Sequence, residues 1–205
     1  AGAGLSVESG LAPDQSPRPP HFHDYLQEPS SWREAYGVWR QQIAQALPHI
    51  GHRRLCDWQP PVRIVTLNQD GLLQRAGCDQ VVELHGSVWR ERCSHCQQVY
   101  DWSPQLDERC QGCAGLLRPD VLFGGEELPS AKVEQVKEWL TRCDCLICVG
   151  TSGETLPAAE FPALAREAGA FLVEINPAPT RLSSLFDRCL RVPASQGLSQ
   201  LFAGA

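Results

Sequence analysis

Apolar positions in this chain fall into short continuous runs separated by amphipathic stretches. Residues 62–67 (Val-Arg-Ile-Val-Thr-Leu), 81–84, 145–149, 171–175 and 189–192 have the length and β-branched content of strands. Between the later runs lie helical patterns. Ser130 opens one that carries Val133, Val136 and Leu140 on a single face, and residues 157–168 carry Phe161, Leu164 and Ala165 before Gly169 stops them. Strands separated by helices of this length predict an α/β fold built on a parallel, doubly wound sheet. The first third reads differently. Residues 11–28 are proline-rich and read as loop. Ser31-x-x-Glu34 has the form of a capping box, opening a helix with Trp32, Ala35, Trp39, Ile43 and Leu47 at helical spacing until Pro48.

Composition narrows the class. The chain has 205 residues, 42% of them apolar and 20% charged, which suits a globular chain with a real core. No apolar run approaches the roughly 18 residues of a membrane span, so no membrane partner is expected. The formal net charge is -6 and no basic stripe is present, which argues against a nucleic-acid surface.

Cysteine changes the picture more. Of ten Cys, four form Cys93-x-x-Cys96 and Cys110-x-x-Cys113, two pairs separated by thirteen residues. Two such knuckles facing each other make the closed four-thiolate tetrahedron of a structural zinc ion; two redox pairs are the alternative. Zinc on reduced thiols points to the cytoplasm. Cys143, Cys145 and Cys148 read as thiols filling a buried strand, while Cys56, Cys78 and Cys189 have no partner pattern.

In a doubly wound sheet, ligands sit where strands end. The loops after the predicted strands are Asn68-Gln69-Asp70-Gly71, His85-Gly86, Gly150-Thr151-Ser152-Gly153 and Asn176-Pro177. At the start of the chain Gly2-Ala3-Gly4-x-Ser6, followed by Ser9-Gly10, is a glycine turn of the kind that lets a phosphate approach backbone N–H groups. Such a turn usually follows a strand. With none before Ala1 and no Met anywhere, the expectation is a chain lacking its first sheet strand.

These residues resemble the sirtuin family, the NAD-dependent protein-lysine deacylases, and are most similar to its bacterial CobB type. Residues 1–10 are similar to the family's GAGxSxESG, residues 48–52 to PNxxH, and residues 66–70 to TQNID. His85-Gly86 is similar to the catalytic HG, residues 118–126 to RPxVVxFGE, and residues 150–159 to GTSxxxxPAA. Glu174-Ile175-Asn176 and residues 193–196 match the adenosine-side strand end and the closing loop.

The resemblance implies a Rossmann-like domain (1–10, 62–88 and 119–205) that binds NAD. It also implies a smaller inserted lobe (11–61 and 89–118) with a helical part and the zinc module. His85 would be the general base, with Asn68 and Asp70 at the nicotinamide and ribose. Gly2, Ala3, Gly4, Ser6, Ser9, Gly150, Thr151, Ser152, Asn176 and Ala194 would complete the cofactor site. Val121, Phe123, Gly124 and Tyr36 would face the substrate, an acylated lysine in a protein. The implied products are nicotinamide and O-acyl-ADP-ribose, from a chain expected to be monomeric.

Several positions depart from the family pattern. Residues 11–17 lack the Phe-Arg pair of the cofactor loop, Leu67 replaces Gln, Gln69 replaces Ile, and Gly124 stands near a usual aromatic. Tyr36 occupies the first position of a Tyr-x-x-Arg reader of acidic acyl groups, but Trp39 holds the second and Arg40 is displaced by one. ADP-ribosyl transfer, NAD hydrolysis and a degenerate NAD-binding module are the competing readings.

Overall fold

The structure, a computed structural model, describes residues 1–60, 62–155 and 157–202. Helix α1 is Phe22–Gln27, α2 Pro29–Gln45 and α3 Ile50–Cys56; strand β1 (Ile64–Thr66), helix α4 (Leu72–Arg75) and strand β2 (Val81–Glu83) follow. Strands β3 (Gly86–Cys93), β4 (Val99–Asp101) and β5 (Leu117–Val121) come next. The chain then alternates through α5 (Ser130–Leu140), β6 (Cys145–Val149), α6 (Phe161–Glu167), β7 (Phe171–Ile175), β8 (Arg188–Leu190) and α7 (Ala194–Phe202).

The expected parallel pairing is present. β1 pairs with β2, and β6, β7 and β8 pair in that order, all in parallel. Residues 1 and 2 run between these two sheets. The Ala1 amino group donates to the Val65 carbonyl and Leu67 N–H to the Ala1 carbonyl, while Gly2 N–H donates to Val149. Helices cover both faces, as a sheet of continuous apolar strands requires. On one side Leu55 of α3 and Leu198 of α7 pack with Leu5, Ile64, Val149, Val173 and Ile175. On the other, Val136 and Leu140 of α5 and Phe161 and Ala165 of α6 pack on Val82, Leu84 and Leu172.

A third sheet, antiparallel in the order β4-β3-β5, carries the four motif cysteines at its end. Its inner face is held partly by ion pairs. Glu91 of β3 is fully buried and accepts from Arg40 of α2 at 2.7 Å, with Arg33 at 3.6 Å. Tyr25, Tyr36, Trp39 and Ile43 pack α1 and α2 against Val88, Val121 and Phe123. β3 and β5 run continuously across the 88/89 and 118/119 positions where the two lobes were expected to meet.

Several expectations are corrected. α2 starts at Pro29, whose fixed φ suits the first helical position, so Ser31 lies inside the first turn and caps nothing. The helix ends at Gln45, leaving Leu47 outside it and exposed. Residues 22–27, read as loop, form α1. The Ser130 helix is preceded by Pro129 at its N-cap, and residues 158–160 form a 3-10 turn before α6. Cys145 is exposed rather than strand filling, whereas burial pushes the Cys148 thiol up to about 11. Cys56 and Cys78, read as unrelated, form a disulfide.

Candidate active site and metal centre

The polar loops named from the sequence converge. Ala3, Ser6, Asn68, Asp70, His85, Phe123 and Gly124 all line one cavity of about 430 Å³. Leu67 and Gln69 line it too, so both departures from the family pattern face the ligand space.

A close backbone crossing positions the floor. The Gly4 N–H donates to the Gly150 carbonyl at 2.9 Å, and a Cβ on Gly4 would lie 2.6 Å from the Gly150 Cα. Gly150 itself has φ 60°, and its own Cβ would sit 2.4 Å from Leu5 N. Only two glycines let the turn and the β6 loop meet. The N–H groups of Gly2 and Gly4 are therefore already paired with Val149 and Gly150 and are not donors to a phosphate. Their contribution is the missing side chain.

Above this crossing runs a polar chain. Asn68 Nδ2 donates to the Gly2 carbonyl and to Ser6 Oγ, both at 3.1 Å, and Ser6 Oγ donates to Asp70 Oδ2 at 2.7 Å. Asp70 Oδ1 accepts the Leu72 N–H at 2.8 Å, capping α4. Burial pushes the Asp70 carboxyl above its ordinary range, opposed by these two hydrogen bonds. The carboxyl is thus fixed in place by Ser6 Oγ and the Leu72 N–H.

His85 follows β2 at the cavity wall. Its imidazole is shifted below the ordinary 6.5 by desolvation, with a hydrogen bond to the Leu67 backbone acting the other way. Desolvation favours the uncharged imidazole, so His85 is a neutral base at neutral pH. The β5 backbone passes so close behind that a Cβ on Gly86 would lie 1.9 Å from the Asp120 carbonyl oxygen.

The remaining site residues sit beside the cavity rather than in its lining. Asn176 Nδ2 donates to the Thr151 carbonyl at 2.9 Å, joining the β7 and β6 loops, and Ser9 Oγ donates to the Leu47 carbonyl at 2.7 Å. Glu8 accepts from both Ser195 N–H and Ser195 Oγ, which ties the glycine turn to α7 next to the buried Ala194. Ser152 is exposed on the β6 loop.

Two residues expected on the substrate side lie away from this cavity. Tyr36 and Val121 are buried in the core between α2 and β5 and do not line the cavity. Trp39 takes the wall instead, because successive buried positions of α2 face different neighbours. Leu11, Ala12, Pro13, Ser16 and Pro17, of the stretch read as the cofactor loop, line the cavity, as do Pro19, Leu122 and Thr155, which sequence reasoning missed. The proline content of residues 11–19, which limits their freedom, and their place after the glycine turn signalled an ordered wall.

The metal site is separate. The Sγ atoms of Cys93, Cys96, Cys110 and Cys113 lie within 4.8 Å of one another, with Cys93–Cys113 at 3.5 Å and Cys96–Cys110 at 3.6 Å. A tetrahedral zinc with bonds of about 2.3 Å needs sulfurs roughly 3.8 Å apart, so the donor set fits one ion. The Tyr100 hydroxyl lies 3.1 Å from Cys110 Sγ and pulls that thiol down to about 6, toward the thiolate a metal binds.

A model described as the Sir2 family matches residues 2–157. An NAD-dependent protein deacylase of Aquifex aeolicus is 36% identical over 98% of this chain and 91% of its own length. Among solved structures, a Sir2 homolog–NAD complex superposes with a TM-score of 0.89 at 27% identity, covering 99% of this chain and 86% of that one. A Sir2–p53 peptide–NAD⁺ complex superposes at 0.81 with 26% identity, covering 99% and 90%.

Proposed function

The chain belongs to the Sir2 family, and we propose that, as an NAD-dependent protein deacylase, it removes neutral acyl groups from protein lysine at the cavity between the glycine turn and His85. The observation that carries this reading is the convergence of Ala3, Ser6, Asn68, Asp70 and His85 on one cavity, with a glycine crossing that any side chain would fill. When bound, NAD supplies an ADP-ribosyl group whose bond to nicotinamide is the one that breaks. The residues 1–10, 62–88 and 119–205 are read as the NAD-binding part, and 11–61 with 89–118 as the smaller lobe.

The chain's own residues then have separable tasks. Ser6 and the Leu72 N–H hold the Asp70 carboxyl, and Asn68 is turned by the Gly2 carbonyl and Ser6, so an amide and a carboxyl present matched donors and acceptors to a carboxamide and a ribose. His85 receives the proton from a ribose hydroxyl on an imidazole nitrogen. Leu11, the prolines of residues 13–19, Trp39 and Phe123 form an apolar wall that excludes water where the reaction occurs. Gly150, Thr151, Ser152, Asn176 and Ala194 lie along the side where an adenosine end would extend. The four cysteines hold one structural zinc ion that takes no part in the chemistry.

Charge supports the neutral acyl group. Among the described residues lining the cavity, only Asp70 and His85 are ionisable. Arg40 beside Trp39 is turned away, giving Nε–H to the Val88 carbonyl and Nη2–H to Glu91. A terminal carboxylate on the acyl group would meet no cation. Cytoplasmic location is consistent with four reduced thiols at a metal site, and no described helix is long and apolar enough to cross a membrane.

The test is a mass-spectrometric product assay with NAD and acetyl- or succinyl-lysine peptide. Nicotinamide, deacylated peptide and O-acetyl-ADP-ribose, formed faster from the acetyl peptide, are expected. Free ADP-ribose with the peptide unchanged would replace this reading with NAD hydrolysis.

A further inference from the structure

The Cys56–Cys78 disulfide joins the end of α3 to the turn after α4, 22 residues along the chain. We propose that this pair is a reversible dithiol–disulfide site whose oxidised form orders the Asn68–Asp70 loop and so strengthens NAD binding. The inference rests on the reading that the cavity holds NAD.

Three observations carry it. First, the ring closed by the bridge contains β1, Asn68, Gln69, Asp70 and α4, so the crosslink restrains the segment that lines the cavity floor. Second, both helices it joins reach the cofactor turn. His49 at the start of α3 gives Nε2–H to the Leu5 carbonyl at 2.7 Å and accepts the Gly51 N–H on Nδ1, while α4 begins at the Leu72 N–H held by Asp70. Third, Cys78 is buried in the same core cluster as Leu5, Leu55 and Leu73, whereas Cys56 is only half-buried. Two thiols need more room than two bonded sulfurs, and a close-packed core gives it only by moving α3 from α4.

The unequal burial sets the direction of attack. A thiolate of a reducing dithiol reaches Cys56 Sγ, a new S–S bond forms there, the Cys56–Cys78 bond breaks, and the electron pair leaves on Cys78 Sγ, which takes a proton. The second thiol of the reductant then attacks the first one's sulfur and displaces Cys56 Sγ. Cys56 leaves as a thiol and the dithiol becomes a disulfide, so two electrons and two protons have entered the protein. A small disulfide reverses the exchange. In a reducing compartment, such a bond in a chain that also carries four metal-binding thiols acts as a sensor rather than a fixed staple.

The experiment uses the zinc-loaded full chain, oxidised or treated with a dithiol. Peptide mapping after alkylation reports the Cys56–Cys78 state, and zinc content is measured in parallel. Reduction is expected to free both thiols without loss of zinc, to weaken NAD binding by about fivefold and to speed hydrogen exchange in residues 68–77. A Cys56→Ser/Cys78→Ser double variant should bind NAD as the reduced form does and ignore the redox treatment. Equal NAD affinity and equal exchange in the two states, or a bond that survives the dithiol, overturns the proposal. Absence of NAD binding in both states defeats the deacylase reading instead. The exchange of residues 68–77 then still decides whether the bond orders the loop.

Discussion

Replacing Arg40 by alanine separates a structural cation from a substrate reader. Arg40 is 3% exposed and its guanidinium does three things: it donates to the fully buried Glu91 at 2.7 Å, donates to the Val88 carbonyl at 2.6 Å, and stacks 4.8 Å from the Trp102 ring. Burial already raises the Glu91 carboxyl above its ordinary range, with Arg40 the largest opposing influence. After truncation Glu91 keeps only Arg33, at 3.6 Å. Leaving one partner of a buried pair uncompensated costs about 3–5 kcal/mol. For a chain of this length 4 kcal/mol lowers Tm by roughly 8–16 °C. Thermal and urea unfolding of the zinc-loaded variant measure this, and Glu91→Gln in the Arg40→Ala background should recover part of the loss, since the two sites are directly coupled. The ratio of acetyl- to succinyl-lysine turnover should not change. Unaltered stability together with selective loss of succinyl-lysine turnover would refute the reasoning, because Arg40 would then face the acyl group.

Three further outcomes follow from the same geometry. Gly4→Ala places a Cβ 2.6 Å from the Gly150 Cα and forces apart the Gly4–Gly150 hydrogen bond; unfolding should show a loss of about 2–3 kcal/mol and calorimetry an NAD affinity at least about tenfold weaker. The His85 imidazole is depressed by desolvation, so its base form persists as pH falls; the acid limb of kcat/KM should have its midpoint below 6.5, and a midpoint above that value would contradict the assignment. Zinc removal by chelation should raise hydrogen exchange across residues 93–117 before it affects β6 and β7, because the four thiolates lie outside the parallel sheets; equal, simultaneous loss would show that the metal holds the whole chain together.

Hydrophobic pattern made some of this molecule legible and concealed other parts for physical reasons. β2, β6 and β7 are mostly apolar runs, interrupted by Glu83 and Glu174, and were readable as strands. β5 was not, although all five of its residues are buried, because Arg118 and Asp120 are buried there through ion pairs with Glu126, Arg90 and Arg92. Periodicity cannot register a charge whose partner lies on another strand. Within the site, Asn68, Asp70 and His85 were legible because loops after parallel strands gather at one edge, a rule of topology. The two faces of α2 were not: Tyr36 and Trp39 have the same pattern, and only packing against β5 turns one inward and the other to the cavity. The Cys56–Cys78 pairing left no trace either, since the two lie 22 positions apart with a strand and a helix between them and no motif.

The central claim is that this cavity couples NAD cleavage to lysine deacylation. The most direct test counts nicotinamide released against peptide deacylated in the same reaction, with zinc-loaded enzyme and acetyl-lysine peptide. A one-to-one ratio, with both products lost together in His85→Ala, is the result predicted. Nicotinamide released in large excess over deacylated peptide, or release undiminished by His85→Ala, would contradict it.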